Sequence, residues 1–137
     1  MRFTIPGKPV PLHRARAGIN RFYDDQFILK KNIRSHLKEQ FPEGFKPYTE
    51  PIEVRYTFYM PLPKAVSNKR RKDLLGQPHD KTTDLSNLIK LVEDLGNEFL
   101  WEDDRLIWKT SAKKVWALEG KTVFSINHTK AINKTTN

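Results

Sequence analysis

The stretch HDKTTDLSNLIKLVEDLGNEFLWEDDRLI, residues 79–107, decides how the chain is read. From Leu85 onward, a turn of 100° per residue puts Leu85, Leu88, Ile89, Leu91, Val92 and Leu95 on one broad face. Ser86, Asn87, Lys90, Glu93 and Asp94 fall on the other face. The spacing predicts an amphipathic helix laid on a core, with Gly96 as its stop. Asp84 sits at or just before the first turn, where a carboxylate can cap the helix and complement its dipole. Asp103-Asp104 then stands at the entrance of a stretch, Leu106 to Leu118, rich in Ile, Trp, Thr and Val and expected to be a strand.

The same stretch is an acidic island in a basic chain. Between Asp80 and Asp104 eight carboxylates face only Lys81 and Lys90, a balance of 2 − 8 = −6, while the 137 residues together carry +9. The remainder therefore carries +15, and the isoelectric point is near 9.8. That division suits a polyanion held by one part and a cation held by the other. The plainer alternative is a solvated acidic helix and turn. There is no cysteine, which excludes disulfides and thiolate metal sites and fits a reducing cytoplasm. No apolar run approaches the roughly 20 residues of a membrane span, and no signal segment is legible. The Asn127 and Asn133 triplets therefore carry no glycosylation reading.

Outward from the island the chain reads as one domain over 1–128 with a flexible tail over 129–137. Phe3 and Ile5 alternate with polar neighbours, a short strand stopped by Pro6-Gly7. A basic, proline-containing arm follows, in which Arg14 and Arg16 are the expected DNA contacts, with Phe22 and Tyr23 beyond. Asp24 or Asp25 is expected to cap a helix over Gln26–Gln40, with Leu29, Ile33, Leu37 and Phe41 as its apolar stripe and Ile28 flanking it. Lys30, Lys31, Arg34 and Lys38 lie off that stripe, facing either DNA or water. Ile52 to Met60 alternates most regularly and predicts a half-buried strand. Ser67 is expected to cap a short helix carrying Lys69, Arg70, Arg71 and Lys72, a candidate phosphate clamp in a long basic connection over residues 64–78. Residues 106–118 and 122–126 read as two strands of a hairpin turned at Glu119-Gly120. Phe99, Leu100 and Trp101 are either core or a subunit interface.

If the helix packs across the following strand, Asp104 can approach Asp84 and a carboxylate from the helix face. Such an oxygen-only site suits Mg2+, with Mn2+ as the alternative. A metal there lowers the pKa of an attacking water and neutralises charge on a scissile phosphate. Lys90 can add positive charge at the transition state, or simply pair with Glu93 or Asp94.

Asp84, Asn87, Leu88, Lys90, Asp94, Asp103 and Asp104 together resemble the motif of the RusA family of Holliday-junction resolvases, D-x-D-N-L-x-K followed by a D-D pair about 20 residues after the first Asp. The opening IPGKPVPLHRAR and His79 are similar to the family's start and to a histidine ahead of its motif. The resemblance implies an α+β, two-layer subunit with a small mixed sheet of about four strands and two main helices. It implies a cytoplasmic homodimer that resolves four-way DNA junctions by symmetric nicks with Mg2+, in recombination and repair, in a bacterium or a phage-infected host. It gives the metal to Asp84 and Asp104, with Asp103 adjacent, and a catalytic role to Asp84, Lys90 and Asp104. The departure is Ser86, where the family has its second Asp. Three readings stand: Glu93 replaces that carboxylate, Ser86 reaches the metal through a water, or the chain binds junctions with weakened or no cleavage. Glu93 is the favoured one.

Overall fold

The computed structural model describes residues 1–13, 16–17, 22–23 and 25–129. Its element order is β1 (Arg2–Pro6), β2 (Arg16–Ala17), β3 (Phe22–Tyr23), α1 (Phe27–Lys38), β4 (Ile52–Pro61), α2 (Asn68–Leu74), α3 (Leu85–Gly96), a 3-10 turn (Asp104–Leu106), β5 (Ile107–Ala117) and β6 (Lys121–His128). Four strands form a mixed sheet in the order β1-β6-β4-β5, and β2 pairs with β3 as a separate small ribbon. This is the expected α+β arrangement, with α1 and α3 as the two main helices.

β4 is central because its alternation is the most complete. Ile52, Val54, Tyr56, Phe58 and Met60 are all buried, and the residues between them are not. A strand that offers one fully apolar face can be paired on both edges without burying polar side chains. β6 pairs antiparallel on one edge and β5 parallel on the other. The hairpin expected between β5 and β6 is therefore absent, since β4 lies between them. The local signal at Glu119-Gly120 was a true reversal, but Leu118–Gly120 crosses two strand spacings, ~10 Å, which three residues span easily at up to roughly 13 Å of reach. Parallel pairing of β4 and β5 requires a long crossover, and α2 and α3 occupy it.

Helices α1 and α3 lie on one side of the sheet. Ile33 and Leu37 of α1 and Leu88, Leu91, Val92 and Leu95 of α3 join the inward side chains of β1, β4 and β6 in one core. Phe3 stacks on Phe124 with ring centroids 5.3 Å apart, and Phe41 stacks on Phe45 at 4.2 Å. Leu100 and Trp101 are fully buried, so they are core, and Phe99 packs against the same cluster. The free edge of β1 is blunted by a side chain: Gln40 accepts from Thr4 N at 2.9 Å and donates to Thr4 O at 2.8 Å, as a neighbouring strand would.

Two expectations about α1 are corrected. Its N-cap is Gln26, not Asp24 or Asp25, and Gln26 makes no side-chain cap bond. That amide is instead buried and ties down the arm, accepting from His13 N and donating to Pro11 O, each at 2.9 Å. Lys30 and Arg34 do not face outward as DNA ligands. Lys30 is buried and its ammonium lies 2.6 Å from Asp94 of α3, while Arg34 Nε donates to Leu95 O at 2.9 Å. Both tie α1 to α3, because a long cationic stem can cross an interhelical contact and end on a carboxylate or carbonyl. Asp24, Arg14 and residues 130–137, most of the expected tail, lie outside the described residues. Among the described residues, no helix is long and apolar enough to cross a membrane.

Candidate active site

Asp84 is the N-cap of α3, with extended backbone angles and no side-chain cap bond. Its carbonyl starts the helix by accepting from Asn87 N at 3.0 Å, and its exposed carboxylate is left uncommitted. Thr83, just before it, has φ 113°, a conformation that a β-branched residue adopts only when its surroundings impose it. Lys114 of β5 supplies that imposition. Its ammonium donates to Thr83 O at 2.7 Å and to Lys81 O at 3.1 Å, clamping the loop that presents Asp84. His79, buried against Trp116, donates its backbone N–H to Lys114 O at 3.0 Å. Burial, and then the charge of Lys114, push the His79 imidazole pKa down.

Lys114 and the N-terminal arm both reach this end of α3. Leu12 N donates to Asn87 O at 2.9 Å, which docks the N-terminal arm on the first turn of the helix. Of the arm's expected DNA contacts, Arg14 lies outside the described residues and Arg16 is placed only by its backbone, paired with Tyr23. Ser67 caps α2 as expected, accepting from Arg70 N at 3.3 Å. Lys69, Arg70 and Lys72 are exposed on it. Arg71 is spent within the protein, donating to Val66 O at 3.1 Å and Lys64 O at 3.3 Å. Ser86 and Lys90, four residues apart on one face of α3, are both exposed.

The acidic residues divide between the two ends of α3. Asp104 begins the 3-10 turn beyond the C-terminus of that helix, where Trp101 Nε1 donates to its Oδ1 at 2.6 Å and its own N–H donates to Asn97 Oδ1 at 3.2 Å. Trp101 reaches this position because residue 96 is glycine: a Cβ there would meet Trp101 Cζ2 at 2.6 Å. The left-handed residue that turns the chain is Glu98, with φ 65°, so Gly96 provides clearance rather than a left-handed stop. Asp103 accepts from Arg105 N at 2.9 Å and caps the turn. Asp94 is in the ion pair with Lys30.

Asp104 and Glu93 are close enough to feel one another. Burial, and then Asp104, push the Glu93 carboxyl pKa up against the opposing pull of Lys90. Burial also raises Asp104, with Asp103 and Asp94 adding to the effect and the Trp101 hydrogen bond opposing it. Beneath them on β4 lies Tyr56, 3% exposed, whose hydroxyl has no hydrogen-bond partner among the described residues. Sequence reasoning missed Tyr56 as part of this group and Trp101 as the donor to Asp104. A tyrosine at an inward strand position is a signal for the first, but only strand pairing shows what lies above it.

Asp84 is nine residues from Glu93, about 13 Å of helix axis, and still farther from Asn97, against which Asp104 is held. The structure brings Glu93 and Asp104 together, with Lys90 near enough to act on Glu93, and leaves Asp84 and Ser86 apart from them. Among the described residues, no three His, Asp or Glu side chains are grouped so that they could hold a metal ion. A three-carboxylate magnesium centre does not fit this arrangement, and Ser86 lacks the charge that would add a second carboxylate beside Asp84.

The raised carboxyls have a consequence for stability. A carboxyl whose pKa is higher in the folded chain than in the unfolded chain takes up protons on folding. Its contribution is present below the ordinary values, 4.5 for Glu93 and 3.8 for Asp104, and is lost as pH rises through the raised values. Glu93→Gln is therefore expected to melt at a higher temperature than the parent at pH 7 and to converge with it near pH 4. Thermal melts at pH steps from 4 to 7 check this, and coincident curves at pH 7 would contradict it.

A family model described as endodeoxyribonuclease RusA matches residues 6–127. The chain is also similar to "Uncharacterized protein YqaN" of Bacillus subtilis (strain 168), at 26% identity with 96% of this chain and 98% of that protein covered.

Proposed function

Because the chain belongs to the RusA family of endodeoxyribonucleases, we propose that it is a structure-selective nuclease acting on four-way DNA junctions as a homodimer. The observation that carries this reading is the state of Asp84: an exposed, uncapped carboxylate on a clamped loop, at the end of α3 where the basic arm docks. The arm and the cations of α2 bind phosphates, which brings the backbone of one strand to the start of α3. Asp84 orients the attacking water as a hydrogen-bond acceptor, and Lys90 offsets negative charge developing on the phosphate. Magnesium is the cofactor expected for the family, with manganese as the alternative. Among the described residues Asp84, Asp103, Asp104 and Glu93 do not form one preassembled centre, so Asp84 and Lys90 act directly on the water and the phosphate. Two subunits related by a two-fold axis would nick two strands symmetrically.

A second reading is a junction-binding dimer with weakened or no cleavage, and one observation favours it: serine stands at position 86, and Glu93, the residue offered in its place, lies two turns along the helix. The test is a synthetic four-way junction incubated with the purified protein and Mg2+. Paired nicks on strands of like polarity support the nuclease. Salt-sensitive binding with no product at any protein excess supports the second reading.

A further inference from the structure

Among the described residues, the face of the sheet opposite α1 and α3 is largely bare and strongly basic, bordered by Leu75 and Gly76 near Tyr59 and Lys121. Register places Arg55 of β4 between Ser125 of β6 and Ser111 of β5, with Arg2 of β1 beyond Ser125. On the same face Lys109 lies opposite Glu53, Lys113 opposite Thr57, and Lys121 opposite Tyr59. Five cations thus share one face with a single acid, and that acid is directed at its neighbours: Glu53 Oε2 accepts from Arg55 Nε at 3.1 Å and lies 3.9 Å from Lys109 Nζ. The irregularity between Ile52 and Glu53 gives β5 one extra residue, Trp108. It lines a groove with Glu53, Arg55, Lys109 and Asn127 while remaining 58% exposed. Its indole N–H donates to the Thr129 hydroxyl, which holds the ring at the groove.

From this geometry we infer that the bare sheet face is a second DNA-contact surface, on the side of the subunit away from α3, which holds the phosphate backbone of a duplex arm with Trp108 against a sugar or base. The inference rests on the proposed action on DNA and adds a location to it. Charge complementarity selects the occupant: spaced cations with one exposed aromatic match a phosphate track. A second copy of the chain does not match, because a two-fold contact would set these cations against themselves. A dimer whose subunits each offer two basic surfaces has four in all, one for each arm of a four-way junction.

The test uses the full chain carrying Arg55→Glu and Lys109→Glu, with a milder Lys109→Gln, Lys113→Gln pair as a second variant, each checked by thermal melting for an intact fold. Binding to a four-way junction is measured over a range of salt. The reversed variant is expected to bind about tenfold or more weakly at low salt, and the slope of log K against log salt to fall in magnitude by about two, one per lost phosphate contact. Unchanged affinity and slope in both variants, with the parent binding junctions normally, would overturn the inference and leave the proposed function standing. A shift from dimer to monomer at unchanged intrinsic affinity would overturn it in favour of a subunit contact. Failure of the parent to bind DNA would overturn both.

Discussion

Asp84→Asn is expected to abolish measurable junction nicking while leaving junction binding intact or slightly tighter. Asparagine has the shape of aspartate and serves equally well as an N-cap, so the start of α3 is preserved. The Asp84 carboxylate is exposed and makes no cap bond, so no internal contact is lost and stability should change by less than about 0.5 kcal/mol. The variant does lose the negative charge that orients the attacking water at the phosphate, and a positioned base of this kind contributes about 100- to 10,000-fold in rate. The rate should then fall by on the order of 100-fold or more. Removing one negative charge beside a phosphate track can only favour association. Single-turnover cleavage at saturating protein, set beside a mobility-shift titration, separates the two effects. Retained cleavage would remove Asp84 from the machinery. A companion, Ser86→Asp, restores the charge the family has at that position and should raise the rate or lower the Mg2+ required. No response there would mean that Ser86 is not a vacancy in the site.

The second large effect is on stability. Trp101→Ala is expected to cost about 3–5 kcal/mol, a large share of the 5–15 kcal/mol typical of a domain. Trp101 is fully buried, and its ring sits in the clearance left by Gly96, a residue with no side chain of its own to fill a cavity. Trp101→Phe keeps most of the packing and loses the N–H that donates to Asp104. It should cost roughly 1–3 kcal/mol, and it frees Asp104 from its one indole partner. Urea denaturation of the two variants and the parent orders them parent, Phe, Ala. An alanine variant as stable as phenylalanine would mean that the ring is not packed as described.

The elements of the main sheet and its helices were legible in the sequence, while the two-residue strands β2 and β3 in the arm were not, and one end of the site was legible too. Alternation marked β4, helical spacing marked α3, Ser67 capped α2, and Asp84 fell at the start of its helix. What local pattern does not carry is partnership. Nothing in residues 107–128 distinguishes two strands joined as neighbours from two strands that flank a third, because the turn between them is short in either case. Lys30 looked like an outward charge because its periodicity placed it off the apolar stripe, and only the packing of α1 on α3 brought it to Asp94. The expected meeting of Asp84 with Asp104 failed for a similar reason. The link after α3 turns at Glu98 and holds Asp104 against the helix terminus through Trp101 and Asn97, whereas the motif's spacing along the chain is silent about direction.

The strand order has one more consequence, for how the chain is made. The ribosome releases β6 last, yet β6 has two neighbours, β1 and β4. Until it emerges, β1 has no partner in the sheet, and the Phe3 ring waits for Phe124 across a separation of 121 residues. The nascent chain can form α1, α3 and the β4–β5 pair, but not a closed sheet. Completion is therefore set by the last strand, and truncation within β6 should leave β1 unseated as well.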